Sequence, residues 1–449
     1  MSVDLLIKNG LLVTPTCTYP AGIAVDYGKI VAVGNEKELP VARRSLDVGG
    51  YYIMPGAVDG HVHFRDPGQN EKEDFKTGSS AAAMGGITTV VDMPNTGKLV
   101  RGALDVQEKR KIVELKSCVD FGLFGAITDD LAEIERMAEA GVLGYKVFLG
   151  YKEWKGLPMA PTNDGLLYQA MKTAATTGLR VSFHAENVDL IDQLIAEMRK
   201  TGRDDLWAFL EARPPMVETE VVFKICLLAR ETRCKINICH ISAGETVDIL
   251  QYVGADIDVV GETGPHYLFF TAEDYDRLGN VVKVTPPIRT KLDQDKLWEG
   301  IQNGIIKTIA TDHAPHCKEE KETSNIWDCA SGFPGVETMI PVMLTLVNRG
   351  RITLNKLVEL VSVNPAIAWG LYPQKGSFAP GSDADFTIVD LNKEWIFKAN
   401  QGKSKSKVSP YDGMQMRGKV LYSVLRGNII VDKGELIDDH FGQMIILRK

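Results

Sequence analysis

The chain has 449 residues, with 51 Lys plus Arg against 59 Asp plus Glu and a formal net charge of -8, a length that suits one large α/β barrel with a smaller appended domain. Apolar residues at 44% and charged residues at 24% exclude a disordered or collagenous chain. The acidic balance, without a basic tract, argues against a nucleic-acid partner.

The N-terminal segment, LLIKNGLLVTP followed by AGIAVDYGKIVAVG and SLDVGGYYIMPG, writes short apolar strands separated by Asn-Gly and Gly-Lys turns. It does not read as a basic region followed by a long apolar run and a small-residue cleavage site, and no stretch reaches the roughly 18 apolar residues of a membrane span. From residue 55 to 375, runs such as TTVVDMP, GYKVFLG, LRVSFHAE, KINICHIS and KTIATDH alternate with amphipathic stretches such as DDLAEIERMAEAGV. Buried strands alternating with helices predict a (β/α)8 barrel of the TIM type. A doubly wound sheet is the alternative, but no Gly-rich fingerprint follows an early strand. From 376 to 449 the β-rich style of residues 1–54 returns, so the two ends are expected to form one small domain split around the barrel. The seven cysteines are scattered and form no CxxC pair, which predicts reduced thiols and a cytoplasmic setting.

The histidines carry the chemistry. His61 and His63, in GAVDGHVHFRDPG, alternate along an extended segment, so both rings can face one side. An HxH alone is often accidental. Here His184 ends LRVSFH, His240 ends KINICH and Asp312 ends KTIATD, and the carboxyl ends of barrel strands are where substrates bind. Lys146, within the apolar GYKVFLGY, would be costly to desolvate as an ammonium unless it snorkels to the surface. Among metal ligands, carboxylation by carbon dioxide would turn it into an anionic carbamate able to bridge two metals.

As a set, these residues resemble the cyclic amidohydrolases: dihydroorotase, hydantoinase or dihydropyrimidinase, and allantoinase. The resemblance covers nearly the whole chain and implies a distorted TIM (β/α)8 barrel with a small β-sandwich made by both ends. It assigns His61, His63, His184, His240 and Asp312 as metal ligands and Lys146 as the carboxylated bridge. Two divalent ions, usually zinc, would share that carbamate and a hydroxide that attacks a ring amide, with Asp312 passing the proton to the departing nitrogen. The implied partner is a small cyclic amide or ureide, and the implied assembly a homodimer or homotetramer.

Which ring is opened rests on a further group. Arg65, Asn95 and His316 match residues that hold the exocyclic carboxylate of dihydroorotate, which favours a dihydroorotase interconverting dihydroorotate and N-carbamoyl aspartate. Each has a plainer alternative, an ion pair for Arg65, a turn cap for Asn95 and a bond within its own loop for His316. Tyr151 in KVFLGY instead resembles the oxyanion-supporting tyrosine of hydantoinases, and GETGPHYLFF, KVTPPIR and LWEGI point toward hydantoinase or allantoinase as the alternative. By analogy, backbone groups from Pro286 to Arg289 and from Gly332 to Gly335 would meet the ring amides. A metal-free scaffold is a third possibility, opposed by the complete ligand set. Asp59 and His313 are expected to support the site, His266 and His440 to be structural, Asp92 and Glu186 to cap turns, and KEEKET at 318–323 to form a solvated loop or lid.

Overall fold

The computed structural model describes residues 2–437 and 441–447, so His440 lies outside the described residues. The middle of the chain forms eight parallel strands, β1 (Ala57–Val62), β2 (Ile87–Asp92), β3 (Asp120–Ala126), β4 (Gly144–Phe148), β5 (Arg180–His184), β6 (Ile236–Ile238), β7 (Val259–Thr263) and β8 (Ile306–Ile309), hydrogen-bonded in sequence order. Every residue of β1 to β7 is buried, as strands covered on both faces must be. The ring closes through a parallel bridge between Val62 and His313 and a 2.6 Å hydrogen bond from the Thr311 hydroxyl to Asp59. Register shifts between β1 and β2 and between β7 and β8 distort the barrel.

The helices between strands follow from local chemistry. In Asp164–Thr177, Leu167, Ala170, Met171 and Ala174 recur at helical spacing and form the buried stripe. The Asn163 side chain accepts from Leu166 N at 3.0 Å to start this helix, and Gly178 stops it at φ 74°. Replacing Asn163 by Ala would remove about 1 kcal/mol of helix stability.

The two chain ends build a separate, mixed nine-stranded sheet, matching the expected barrel plus sandwich-like domain. They meet where Tyr52–Pro55 pairs antiparallel with the start of Phe386–Ile396. Leu5, Ile7, Ile23, Ile53, Phe386 and Val424 lie in its apolar core, each contributing about 1.5–3 kcal/mol by burial. A buried ionic clasp joins the two units: Lys375 Nζ reaches Asp120 at 2.5 Å, Asp385 at 2.6 Å and Asp383 at 3.0 Å, while Arg426 also pairs with Asp120. The segment 441–447 returns to the barrel, where Phe121 N donates to the Gln443 carbonyl and Ile445 N to that of Phe121. Among the described residues, no helix is long and apolar enough to cross a membrane.

Candidate active site

His61 and His63 bracket the end of β1, His184 ends β5, His240 follows β6 and Asp312 follows β8, all lining one cavity of about 330 Å³ at the carboxyl face of the barrel. Lys146, in β4, lines it too and is fully buried. Three residues here leave their strands through left-handed backbone, Arg65 at φ 63°, His240 at φ 40° and Asp312 at φ 48°. Such conformations cost about 1–3 kcal/mol each and are typical of sites that aim a side chain. Gly150 is required beside them, because a Cβ there would come within 2.5 Å of His184 Nε2.

The rings are held from behind. His61 Nδ1 lies 2.7 Å from Glu262, and His63 Nδ1 lies 2.7 Å from the Asn95 side-chain oxygen. With each Nδ1–H donating outward, both Nε2 atoms face inward and meet Asp312 Oδ1 at 3.2 Å and 3.1 Å. His184 Nε2 contacts Glu186 at 2.7 Å, and Arg213 holds the same carboxylate at 2.8 Å. The His184 and His240 rings pack edge to face with centroids 4.5 Å apart.

These groups fit a bound cation. Donor atoms of His61, His240 and Asp312 lie within 4.8 Å of one another, and His240 Nδ1 is buried with no hydrogen-bond partner among the described residues. Burial lowers His63 to about 3 and takes His184 and His240 below the ordinary imidazole range, leaving the neutral form that a ligand needs. His61 goes the other way: burial and Lys146 oppose its protonation, yet Asp312, Cys239 and Glu262 together raise it well above the ordinary value. A proton is thus favoured where a metal's charge would be, and the nitrogen and oxygen donors suit a divalent transition ion.

Tyr151 stands at the cavity mouth, 38% exposed, with its ring 5.0 Å from that of His184. Partial desolvation, with the Glu186 and Asp312 carboxylates nearby, pushes its phenol up to about 12. Arg65, Asn95 and His316 line the same cavity, each with one polar atom engaged by the protein. Asn95 is bonded to His63, the Arg65 Nε donates to the Pro315 carbonyl at 3.4 Å, and His316 Nε2 lies 3.0 Å from the Ser331 carbonyl.

Other expectations change on inspection. Pro286 and Gly335 do not line the cavity: the Pro286 carbonyl accepts from the Tyr267 hydroxyl, and the Gly335 N–H donates to His313 Nδ1 at 3.1 Å. From the expected stretches Gly332 does line the wall, joined by the neighbouring Val284, Thr285 and Ser331. Arg289 is buried on Ser242 and the Arg213 carbonyl. Asp92 caps no turn but pairs with buried Lys109, and Glu186 links His184 to Arg213. Nor is KEEKET wholly solvated, since Lys321 is 2% exposed and donates to the carbonyls of Lys283 and Ala330. Sequence reasoning missed Glu262 and Cys239, although Cys239 stands beside His240 and Glu262 falls within the GETGPHYLFF motif.

A model of the amidohydrolase family matches residues 52–430. An L-hydantoinase of Paenarthrobacter aurescens is 36% identical over 452 residues, covering 99% of this chain and 98% of that protein. An allantoinase of Enterococcus faecalis is also 36% identical, over 456 residues, covering 99% and 100%. The solved L-hydantoinase (dihydropyrimidinase) from Arthrobacter aurescens superimposes with a TM-score of 0.96 at 35% identity, covering 99% of this chain and all of that one. None of these relatives is a dihydroorotase, and they overturn the dihydroorotase expectation in favour of its hydantoinase or allantoinase alternative. In the structure one polar atom of each of the three residues expected to grip a carboxylate is bonded to the protein, Asn95 Oδ1 to His63, Arg65 Nε to Pro315 and His316 Nε2 to Ser331.

Proposed function

The chain belongs to the amidohydrolase family, within its hydantoinase- and allantoinase-like cyclic amidohydrolases, and from that premise we propose that it hydrolyses a ring amide of a hydantoin-type ureide. Allantoin is itself a hydantoin ring bearing a ureido group, so one ring chemistry covers both kinds of relative. The observation that carries this reading is the convergence of His61, His63, Lys146, His184, His240 and Asp312 on one cavity with Tyr151 at its mouth.

In this reading the six residues would hold two divalent cations, usually zinc in such sites, with a carboxylated Lys146 supplying anionic oxygen ligands. When bound, the ions polarise the ring carbonyl and make water a better nucleophile near neutral pH. The protein's own groups do the rest. His61 and His63 both approach Asp312 Oδ1, which leaves Oδ2 to accept the proton of the attacking water and return it to the ring nitrogen. The Tyr151 hydroxyl donates to the oxygen that gains charge as the carbonyl becomes tetrahedral. Glu262 and Asn95 keep the two imidazoles turned inward throughout.

A ring-opening assay of the zinc-loaded protein on hydantoin, a 5-substituted hydantoin, allantoin and dihydrouracil tests the reading. Opening of at least one hydantoin-ring substrate is expected. A fully metal-loaded protein that opens neither hydantoins nor allantoin would overturn it.

A further inference from the structure

The interior of a (β/α)8 barrel is ordinarily packed with apolar side chains, but below this site it holds a polar row. Lys146 pairs in register with Ser182, and Ser182 with Asn237, so these three occupy one level across β4, β5 and β6. Asn237 Nδ2 lies 3.2 Å from Ser182 Oγ, 3.5 Å from Cys239 Sγ and 2.9 Å from Glu262. Cys239, two residues beyond Asn237, returns to the same face one step nearer the cavity. It continues the ladder by donating from its backbone N to the Phe183 carbonyl at 3.1 Å.

Cys239 Sγ sits 3.0 Å from Lys146 Nζ and, among the described residues, is the only hydrogen-bond partner of that nitrogen. Lys146 is completely buried, Cys239 is 2% exposed, and among the described residues no carboxylate pairs with the lysine. On carboxylation the ammonium first gives one proton to water, the lone pair of the resulting amine bonds to the carbon of carbon dioxide, one carbon–oxygen π pair becomes a carboxylate oxygen, and a second Nζ proton leaves to water. The nitrogen keeps a single N–H, and the acceptor beside it is the sulfur.

The geometry points to Cys239 as the positioning residue for Lys146: its sulfur accepts the N–H that the carbamate retains and so fixes which way the carbamate oxygens face. This rests on the carbamate role proposed for Lys146. A serine oxygen could accept the same bond over a shorter reach, whereas alanine or valine offers no acceptor.

The test is uptake of ¹³C-labelled bicarbonate by the wild type, Cys239→Ala, Cys239→Val and Cys239→Ser, read by the amount and chemical shift of the carbamate carbon and by bound zinc. Losing one hydrogen bond should raise the bicarbonate needed for half-occupancy roughly fivefold in the Ala and Val variants. It should also move the carbamate resonance, while Ser stays near the wild type. Val fills the space of the thiol, so its loss alongside retention by Ser supports the assignment even where Ala folds poorly. Ala and Val variants with wild-type bicarbonate dependence and an unmoved resonance would overturn the role of Cys239 alone. A zinc-binding wild type that takes up no carbon dioxide would overturn the carbamate role of Lys146, and this inference with it.

Discussion

The Asn95 side-chain oxygen lies 2.7 Å from His63 Nδ1, so a residue that reads in sequence as a substrate contact also supports a histidine. Without that acceptor the imidazole is free to change tautomer or rotate, and its Nε2 no longer faces Asp312 reliably. Asn95→Ala is therefore expected to weaken zinc binding by about 10- to 100-fold while the melting temperature of the metal-free protein changes little. Zinc titration with a competing chelator measures this. An affinity equal to wild type would show that His63 is held by something else.

Asp312 bears on turnover more than on assembly of the site. Changing it to Asn keeps the shape and one oxygen near His61 and His63 but removes a group able to carry a proton. Expected is a fall in kcat of about 10²- to 10⁴-fold with much of the zinc retained. Metal analysis and kcat measured on the same sample separate these effects, and near-normal turnover would remove Asp312 from proton transfer.

The metal-capable residues were legible because barrel topology makes strand ends converge, and HVH, SFH, ICH and ATD each end an apolar run. What the sequence does not express is direction. Asn95 and His316 do reach the cavity, but which atom each turns toward it depends on His63 and Ser331, residues brought near only by folding. The peptide groups of Pro286 and Gly335 were similarly misread, since a loop motif gives position along the chain and not the partner of its carbonyl or N–H. Glu262 and Cys239 were missed because a lone Glu or Cys at a strand end has no spacing signature. The split sheet was readable from its β-rich writing at both ends. The ionic clasp was not, because Asp120 and Lys375 stand 255 positions apart.

Tyr151 is the accessible member of the site, and its hydroxyl is proposed to act only as charge develops on the carbonyl oxygen. Tyr151→Phe keeps the ring contact with His184 and removes the donor. Loss of one such donor should lower kcat by about 10²- to 10³-fold with KM largely unchanged. Steady-state kinetics on the best hydantoin substrate provide the check, and a change confined to KM would make Tyr151 a binding residue instead.

The clasp gives a stability prediction with a definite pH direction. Lys375 is 1% exposed and meets Asp120, Asp383 and Asp385, so replacing it by Met leaves three buried carboxylates without their shared cation. Removing one partner of a buried ionic group costs about 3–5 kcal/mol, and Arg426 on Asp120 and Lys29 on Asp383 compensate only in part. Burial works against the Lys375 charge, but Asp385, Asp120 and Asp383 outweigh it and hold the ammonium far above the ordinary lysine value. A group raised in the folded state stabilises fully below its unfolded pKa, about 10.4 for lysine, and loses that contribution as pH rises from there through the folded value. The gap in unfolding free energy between wild type and Lys375→Met should therefore be level from pH 7 to about 10 and begin to narrow only above that. Urea unfolding at pH 7, 9 and 10.5 measures it, and a gap that closes below pH 9 would mean that Lys375 is not the charged centre of the clasp.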